Sequence, residues 1–162
     1  MNKQVLRSLF LEKRKTLNKT EFQRRNHLLF KEVTRFINTQ EGAKNYHIFL
    51  SMEKFLEPDT WPIFRMLLSS PEHSVFLSRT NIKAKKLTHF QIENEADLEV
   101  STFGISEPKT GNEINPSILD IVLVPLISYD LAGNRIGYGA GLYDRFLSQV
   151  RPDCLKVGLA IT

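Results

Sequence analysis

The sequence contains a single cysteine, Cys154, and no apolar run that approaches the roughly 18 residues needed to cross a bilayer. One cysteine cannot form an internal disulfide, which excludes a disulfide framework and favours a reducing compartment. The four histidines are scattered without the spacing of metal ligands, which argues against a structural zinc site. The N-terminus mixes charged and apolar residues and lacks the apolar block of a signal peptide. We therefore expect a cytoplasmic protein without a membrane segment.

Size and charge narrow the class further. The 162 residues, 41% of them hydrophobic and 25% charged, suit one compact domain with a buried core. Residues 1–35 hold ten Lys or Arg against three Glu, whereas the remainder holds 12 basic and 15 acidic residues. Such a basic segment suits nucleic acid, an anionic surface or a phosphate-bearing small molecule, or it is simply a solvated helical face.

Apolar periodicity predicts an alternation of helices and strands. Two amphipathic helices open the chain, with apolar stripes over residues 5–10 and 22–37 and the spacing of a capping box from Thr20 to Gln23. Apolar runs predict strands at 46–51, 74–78, 87–92, 120–126 and 155–161, with helices near 60–68 and after residue 141. Residues 104–117 are rich in turn formers and are predicted to be a loop. This order predicts an α/β fold of Rossmann type: a three-layer, open, mostly parallel sheet with helices on both faces.

The most unusual stretch is GNRIGYGAGLYDR, residues 133–145, which places four of the eight glycines within nine residues. It lies between a predicted buried strand and a predicted helix. Glycines tolerate positive φ and let a ligand approach the main chain, and amides at a helix N-terminus attract anions, so phosphate is the natural ligand. The spacing matches neither the dinucleotide fingerprint nor a P-loop, and a glycine-rich turn can also be purely structural.

Charged residues beside these glycines support phosphate binding. Arg135 and Arg145 offer forked donors for phosphate oxygens, and Asp144 offers an oxygen ligand suited to magnesium. Alternatively, the arginines are exposed surface charges and Asp144 favours the dipole of the following helix. Tyr138 and Tyr143 are as readily explained by packing as by catalysis.

Five separated segments carry a family resemblance: GNRIGYGAGLYDRFL, the preceding LDIVLVPLISYD, GISEP upstream of it, KQVLR at residues 3–7 and FLSM at 49–52. Taken in their order along the chain, these segments resemble the 5-formyltetrahydrofolate cyclo-ligase family, also called methenyltetrahydrofolate synthetase. The resemblance implies a ligase that uses ATP and Mg²⁺ to close 5-formyltetrahydrofolate into 5,10-methenyltetrahydrofolate, releasing ADP and phosphate. In the family scheme the formyl oxygen attacks the γ-phosphate, and a neighbouring nitrogen then captures the phosphorylated intermediate.

The resemblance also implies site residues. Residues matching the family's ATP contacts are Lys3, Gln4, Val5, Leu6, Arg7, Arg135, Ile136, Gly137, Tyr138, Gly139, Ala140, Gly141, Leu142 and Tyr143. Residues matching its folate contacts are Leu50, Glu57, Tyr138, Gly139, Ala140, Gly141 and Leu142. Asp144 matches a magnesium ligand, and the implied catalytic residues are Arg135, Tyr143 and Arg145. Glu53 is the alternative to Glu57, because EKFLEPDT is two residues longer than the family's usual spacing.

Some positions depart from the family pattern. Ala140 stands where Gly or Lys is common, Leu142 replaces a tyrosine, and Ser78 replaces a proline. The family continues beyond a segment such as VGLAIT into a C-terminal piece with a second acidic metal ligand. We therefore expect residues 1–162 to form a single cyclo-ligase-like domain without that segment.

Three functions remain open on the sequence alone. The first is the ATP-dependent cyclo-ligase. The second is a catalytically impaired relative that binds folate or nucleotide as a sensor or interaction module, and the third, an RNA-associated protein, rests only on the basic N-terminus. We expect the enzyme, acting as a monomer on ATP and a reduced folate, with neither nucleic acid nor membrane as a partner.

Overall fold

A computed structural model of the chain describes residues 2–102, 104–109 and 111–162. The helices in these residues are α1 (Lys3–Lys15), α2 (Lys19–Asn38), α3 (Trp61–Leu68) and α4 (Leu142–Leu147). The strands are β1 (Asn45–His47), β2 (Ser74–Asn81), β3 (Lys86–Ile92), β4 (Leu98–Val100), β5 (Ser106–Pro108), β6 (Ile121–Pro125), β7 (Ser128–Tyr129), β8 (Arg135–Ile136) and β9 (Leu155–Leu159).

Asparagine caps begin the two N-terminal helices. The side chain of Asn2 accepts a hydrogen bond from the amide of Gln4, and that of Asn18 accepts one from the amide of Glu21, each at 2.8 Å. The predicted start of α2 at a Thr20 capping box is therefore wrong by two residues. An asparagine oxygen is among the best acceptors for the free amides of a first helical turn, so Asn18 takes that role.

The central sheet has the strand order β3-β2-β1-β6-β9. Strands β2, β1, β6 and β9 are parallel, whereas β3 is antiparallel to β2, so the prediction of a mainly parallel sheet is confirmed. The predicted alternation of strands and helices fails where β2 and β3 form a hairpin, and the described residues between β3 and β6 contain no α-helix. Two smaller hairpins pair β4 with β5 and β7 with β8, and β5 lies inside the segment predicted to be a loop.

Both faces of the sheet are covered by helices, as predicted. On one face, α2 and α3 pack against the sheet through side chains that include Val33, Ile37, Ile63, Phe64 and Leu67. On the other face, Phe146 and Val150, in and just after α4, pack with Val122, Val124 and Phe76. The alternation of side chains along each strand sends neighbouring residues of β6 to opposite faces.

The candidate site lies where the parallel strands end. After β6 the chain forms the β7–β8 hairpin and then the glycine loop, defined here as residues 137–141, which leads into α4. The chain leaves the sheet after His47, earlier than the strand predicted over 46–51, and reaches the 3-10 turn at Glu53–Phe55. The carboxyl ends of adjacent parallel strands are the usual place for a ligand in such sheets. No helix in the described part of the chain combines the length and apolarity needed to cross a membrane.

Candidate active site

The glycine loop depends on backbone conformations that favour glycine. Gly139 has φ of 101° and Gly141 has φ of 69°, and Gly141 is the N-cap of α4. Helix α4 has only six residues, so its dipole is small, and an anion bound here would depend on the loop amides and the neighbouring arginines. The sequence prediction of a glycine turn before a helix is confirmed, but the β7–β8 hairpin separates this turn from β6.

Arg7 of α1 joins the N-terminal helix to the glycine loop. Its Nε donates to the carbonyl oxygen of Gly137 at 2.9 Å. A Cβ placed on Gly139 would lie 3.2 Å from the Cζ of Arg7, so the guanidinium occupies the space that a side chain would need. The structure thus brings together two segments separated by 130 residues in the sequence.

Arg135 and Asp144 form an ion pair at the far end of the loop. The Nη2 of Arg135 donates to Oδ1 of Asp144 at 2.5 Å, with the arginine side chain 21% exposed and the carboxylate 78% exposed. Arg145 is exposed, and its Nη1 donates to the carbonyl oxygens of Ala140, Gly141 and Lys85. Arg145 therefore braces the loop against the turn of the β2–β3 hairpin.

A buried cation, Arg14, and a buried carboxyl group, Glu57, lie on either side of the Tyr138 hydroxyl. Arg14 of α1 is 1% exposed, and it donates to the Tyr138 hydroxyl at 3.0 Å and to the carbonyl oxygen of Leu126 at 3.1 Å. Glu57 is 7% exposed and accepts a hydrogen bond from the amide of Met52 at 2.8 Å. Burial raises the pKa of Glu57, while the Met52 amide, the Tyr138 hydroxyl and the charge of Arg14 lower it.

A groove of about 500 Å³ opens beside Glu57, between α2 and the segment that leads from β1 to α3. Its walls combine aromatic rings with acidic side chains: Phe22, Phe30 and Trp61 together with Glu53, Glu57 and Asp59. A groove of this size suits a small planar ligand, and its carboxylates suit one that presents N–H donors.

Two histidines and a serine form a buried chain under α4. His47 Nε2 lies 2.6 Å from the hydroxyl oxygen of Ser78, which lies 2.9 Å from His89 Nδ1. A hydroxyl has one proton, so Ser78 donates to one ring and accepts from the other. Burial lowers the pKa of His89 to about 4 and that of His47 well below its ordinary value, so both rings stay neutral at pH 7. Both rings pack against Phe146.

Known proteins match this chain along its whole length. The model of the 5-formyltetrahydrofolate cyclo-ligase family matches residues 1–162. The chain belongs to the 5-formyltetrahydrofolate cyclo-ligase family. The 5-formyltetrahydrofolate cyclo-ligase of Mycoplasma genitalium is 28% identical over 99% of this chain and 85% of its own length, and that of Escherichia coli K12 is 30% identical over 65% and 58%.

Solved structures agree with this family assignment. The 5,10-methenyltetrahydrofolate synthetase of Aquifex aeolicus superposes with a TM-score of 0.81 at 31% identity, over 99% of this chain and 78% of its own. The synthetase of Mycoplasma pneumoniae superposes with a TM-score of 0.77 at 20% identity, over 98% and 84%, which shows the shared fold. The predictions of this family, of its ligase class and of its α/β fold are confirmed.

The structure brings some of the predicted cyclo-ligase residues together and leaves others apart. Arg7 and residues 135–143 converge around the glycine loop, and Glu57 contacts this loop through Tyr138, whereas Glu53 is exposed. Residues 3–5 are exposed on the first turn of α1, and Leu50 is buried in the hydrophobic core. The individual roles of these residues in ATP, folate and metal binding stay predictions.

Sequence reasoning missed Arg14 and the histidine pair. Arg14 lies seven residues after Arg7, two helical turns along the same face, and this spacing is the signal that could have identified it. His47 and His89 come from different strands, and only strand pairing places them on either side of Ser78.

The expected magnesium site has one exposed carboxylate beside the glycine loop, that of Asp144. Within residues 2–102, 104–109 and 111–162, no three His, Cys, Asp or Glu side chains cluster closely enough to hold a metal ion. Magnesium that accompanies a nucleotide needs only one or two carboxylates, because phosphate oxygens and waters complete its coordination. The exposed carboxylate of Asp144 fits that requirement.

Proposed function

We propose that this chain catalyses the ATP- and Mg²⁺-dependent cyclisation of 5-formyltetrahydrofolate to 5,10-methenyltetrahydrofolate, with release of ADP and phosphate. The observation that carries this proposal is the contact of Arg7 with Gly137 and Gly139. Two segments that match the family's ATP contacts, one at each end of the sequence, meet at this point.

ATP would lie with its phosphates along the glycine loop. The exposed loop leaves room for phosphate beside its backbone, and Arg7 and Arg135 would neutralise its charge from two sides. Phosphoryl transfer requires positioning and charge neutralisation more than a nucleophilic side chain. This set of residues therefore suits the reaction without a covalent enzyme intermediate.

Asp144 would hold the magnesium ion that accompanies ATP. When bound, this ion would supply positive charge to the phosphate oxygens. Because Asp144 pairs with Arg135, the triphosphate would take Arg135 as its partner and so leave the carboxylate to the ion. The ion pair thus links the seating of the phosphates to the availability of the metal ligand.

The reduced folate would occupy the groove beside Glu57. The Glu57 carboxylate would accept hydrogen bonds from the amino and ring N–H groups of the pterin, and the rings of Trp61 and Phe22 would supply apolar walls. Glu57 also contacts Tyr138 of the glycine loop, so the groove and the loop share an edge. This arrangement would direct the formyl oxygen of the folate towards the γ-phosphate.

The reaction then proceeds in two steps, phosphoryl transfer and ring closure. The formyl oxygen attacks the γ-phosphorus while the bond to the ADP oxygen breaks. The neighbouring folate nitrogen then forms a bond to the formyl carbon and loses its proton, and the carbon–oxygen bond breaks to release phosphate. The protein's part is to hold both substrates in line and to exclude water.

An absorbance assay tests this proposal. The chain is incubated with 5-formyltetrahydrofolate, ATP and MgCl₂, and the appearance of the methenyltetrahydrofolate band is followed. We expect product only when ATP and Mg²⁺ are both present, and at least about a hundredfold less with Arg135→Ala, since loss of one charge-neutralising donor costs roughly that factor. Absence of product from the folded wild-type chain would reject the proposed activity.

A second candidate, a catalytically impaired relative that binds folate or nucleotide, is favoured by one observation. The Arg135–Asp144 ion pair engages the arginine expected for phosphate and the carboxylate expected for metal with each other. Calorimetry distinguishes the two: binding of ATP or folate without turnover would select the impaired relative. The expected monomeric state, cytoplasmic location and lack of nucleic-acid binding remain predictions.

A further inference from the structure

Arg14 is a buried cation whose direct partners are uncharged. Its side chain is 1% exposed, and its two Nη groups donate to the Tyr138 hydroxyl and to the carbonyl of Leu126. Its Nε has no hydrogen-bond partner among the described residues. A buried charge is costly unless an opposite charge balances it. The balancing charge must therefore belong to a residue that lies beyond these direct partners.

That balancing charge belongs to Glu57. Arginine can only donate, so the Tyr138 oxygen accepts from Arg14, and the single hydroxyl proton of Tyr138 is free for the Glu57 carboxylate. The three side chains lie in the order cation, hydroxyl, anion: Arg14 donates to the Tyr138 hydroxyl at 3.0 Å, and that hydroxyl lies beside Glu57, which is 7% exposed. This row of side chains runs from α1, through the middle of the glycine loop, to the wall of the groove.

We propose that Arg14 is a positioning residue for the reduced folate, which acts through Tyr138 to hold the negatively charged carboxylate of Glu57 at the groove. This inference rests on the proposed function and deepens it, because it concerns the folate half of the same site. Arg7 and Arg14 lie on the same face of α1 and contact different parts of the glycine loop. Arg7 contacts the loop backbone, and Arg14 contacts the side chain of its central residue, Tyr138.

Several charged or titratable groups face Glu57, and they act in opposite directions. They are Arg14 of α1, His27 of α2, Glu53 and Asp59 on either side of Glu57 in the chain, Tyr138 of the glycine loop and Tyr143 of α4. Like charges and burial both favour a protonated carboxyl group, whereas a neighbouring cation favours the carboxylate. Arg14 therefore opposes the neighbouring acids and the low polarity of the site.

The consequence for substrate binding has a definite sign. Removing the charge of Arg14 raises the pKa of Glu57, so the carboxyl group takes up a proton at a higher pH. A protonated carboxyl group is a poorer acceptor for the N–H donors of a pterin. Folate binding should then begin to fail at a higher pH than in the wild-type chain.

The direct test uses no substrate. In protein labelled with ¹³C at the glutamate carboxyl groups, the Glu57 resonance is assigned with Glu57→Gln and titrated from about pH 4 to about pH 8, which covers the ordinary range of glutamate and above. We expect Arg14→Met to raise the pKa of Glu57 by about one unit and Arg14→Lys, which keeps the charge, to restore most of the difference. Arg25→Met is the matched control, because Arg25 holds the carbonyl of Ile161 and the carboxylate of Glu21 instead.

The kinetic test uses the same variants. As the pH is lowered, kcat/KM for 5-formyltetrahydrofolate should begin to fall about one pH unit earlier in Arg14→Met, which makes it about tenfold lower than in the wild-type chain at acid pH. The pH dependence of the KM for ATP should show no such shift. If Arg14→Met does not fold, Tyr138→Phe replaces it, since loss of the hydroxyl bond must also raise the pKa of Glu57. An unchanged Glu57 pKa in a folded Arg14→Met or Tyr138→Phe chain overturns the inference. Absence of wild-type turnover would reject only the proposed function, because the titration does not depend on it.

Discussion

The guanidinium of Arg7 faces Gly139 so closely that a Cβ at residue 139 would lie 3.2 Å from its Cζ and 3.3 Å from its Nη2. Gly139 also has φ of 101°, a conformation that other residues rarely adopt. Glycine is therefore favoured at residue 139 for two reasons: the backbone has positive φ, and Arg7 occupies the space that a side chain would need.

Replacing this glycine should weaken ATP binding. Gly139→Ala strains the backbone by about 1–3 kcal/mol and displaces Arg7 from the loop, so we expect the Kd for MgATP to rise at least about tenfold. The matched control is Gly133→Ala: Gly133 has φ of 81°, but nothing lies within 4 Å of its would-be Cβ. Isothermal titration calorimetry on both variants measures the difference. Equal ATP affinity in the two would show that the Arg7 contact is unimportant.

Asp144 should set the magnesium requirement. Asp144→Asn removes the negative charge that the ion needs, so we expect the Mg²⁺ concentration for half-maximal activity to rise about tenfold or more. Asp153→Asn serves as the control, since Asp153 is another exposed carboxylate that contacts an arginine, Arg151, at 3.3 Å. A magnesium titration at fixed ATP measures the change. The metal role is rejected if the two variants give the same titration curve.

Stability should fall in mild acid because of His89. Its pKa is about 4 in the folded protein against an ordinary 6.5, so the unfolded chain takes up protons that the folded chain cannot. The stability that neutral His89 contributes is therefore complete above about pH 6.5. Between about pH 6.5 and pH 4 the free energy of unfolding falls by about 1.4 kcal/mol per pH unit because of this one group. His89→Gln should lower that slope by about 1.4 kcal/mol per pH unit and leave the part that comes from His47, whose pKa burial also lowers, as measured by urea denaturation between these pH values. An unchanged slope in His89→Gln would contradict the assignment.

The position of the α2 cap can be measured directly. Asn18→Ala should lower the free energy of unfolding by about 1 kcal/mol, because the amide of Glu21 loses its acceptor. Thr20→Ala, at the residue that the sequence pattern favours, should change it by less than about 0.5 kcal/mol, since Thr20 is exposed and lies inside the helix. Urea denaturation of the two variants side by side provides the measurement. A larger loss for Thr20→Ala would restore the sequence prediction.

Local signals in the sequence were sufficient for the elements and for the loop. The apolar run at 120–126 predicted β6, and the periodicity over 22–37 predicted α2, because burial of one face imposes a spacing on the residues themselves. The glycines at 137, 139 and 141 likewise predicted a turn. Two of them have positive φ, a conformation that favours glycine. The family resemblance added Arg7 as a partner for this turn.

The hairpin of β2 and β3 could not be predicted in the same way. A parallel and an antiparallel strand of one sheet carry similar apolar runs, and their direction depends on the turn between them. Here that turn includes Lys85 in a left-handed conformation with φ of 48°, which no glycine signals. The register that follows puts Ser78 opposite His89 and so creates the buried histidine chain.

The sequence alone determined the α/β class, the glycine loop and the basic helix, because each of these depends on residues that are neighbours along the chain. Tertiary structure decided how the loop is held: it placed Arg14 against Tyr138, 124 residues away, and brought the Tyr138 hydroxyl beside Glu57. The physical reason is that a buried charge is tolerated only beside compensating groups, and packing, rather than spacing along the sequence, decides which groups those are.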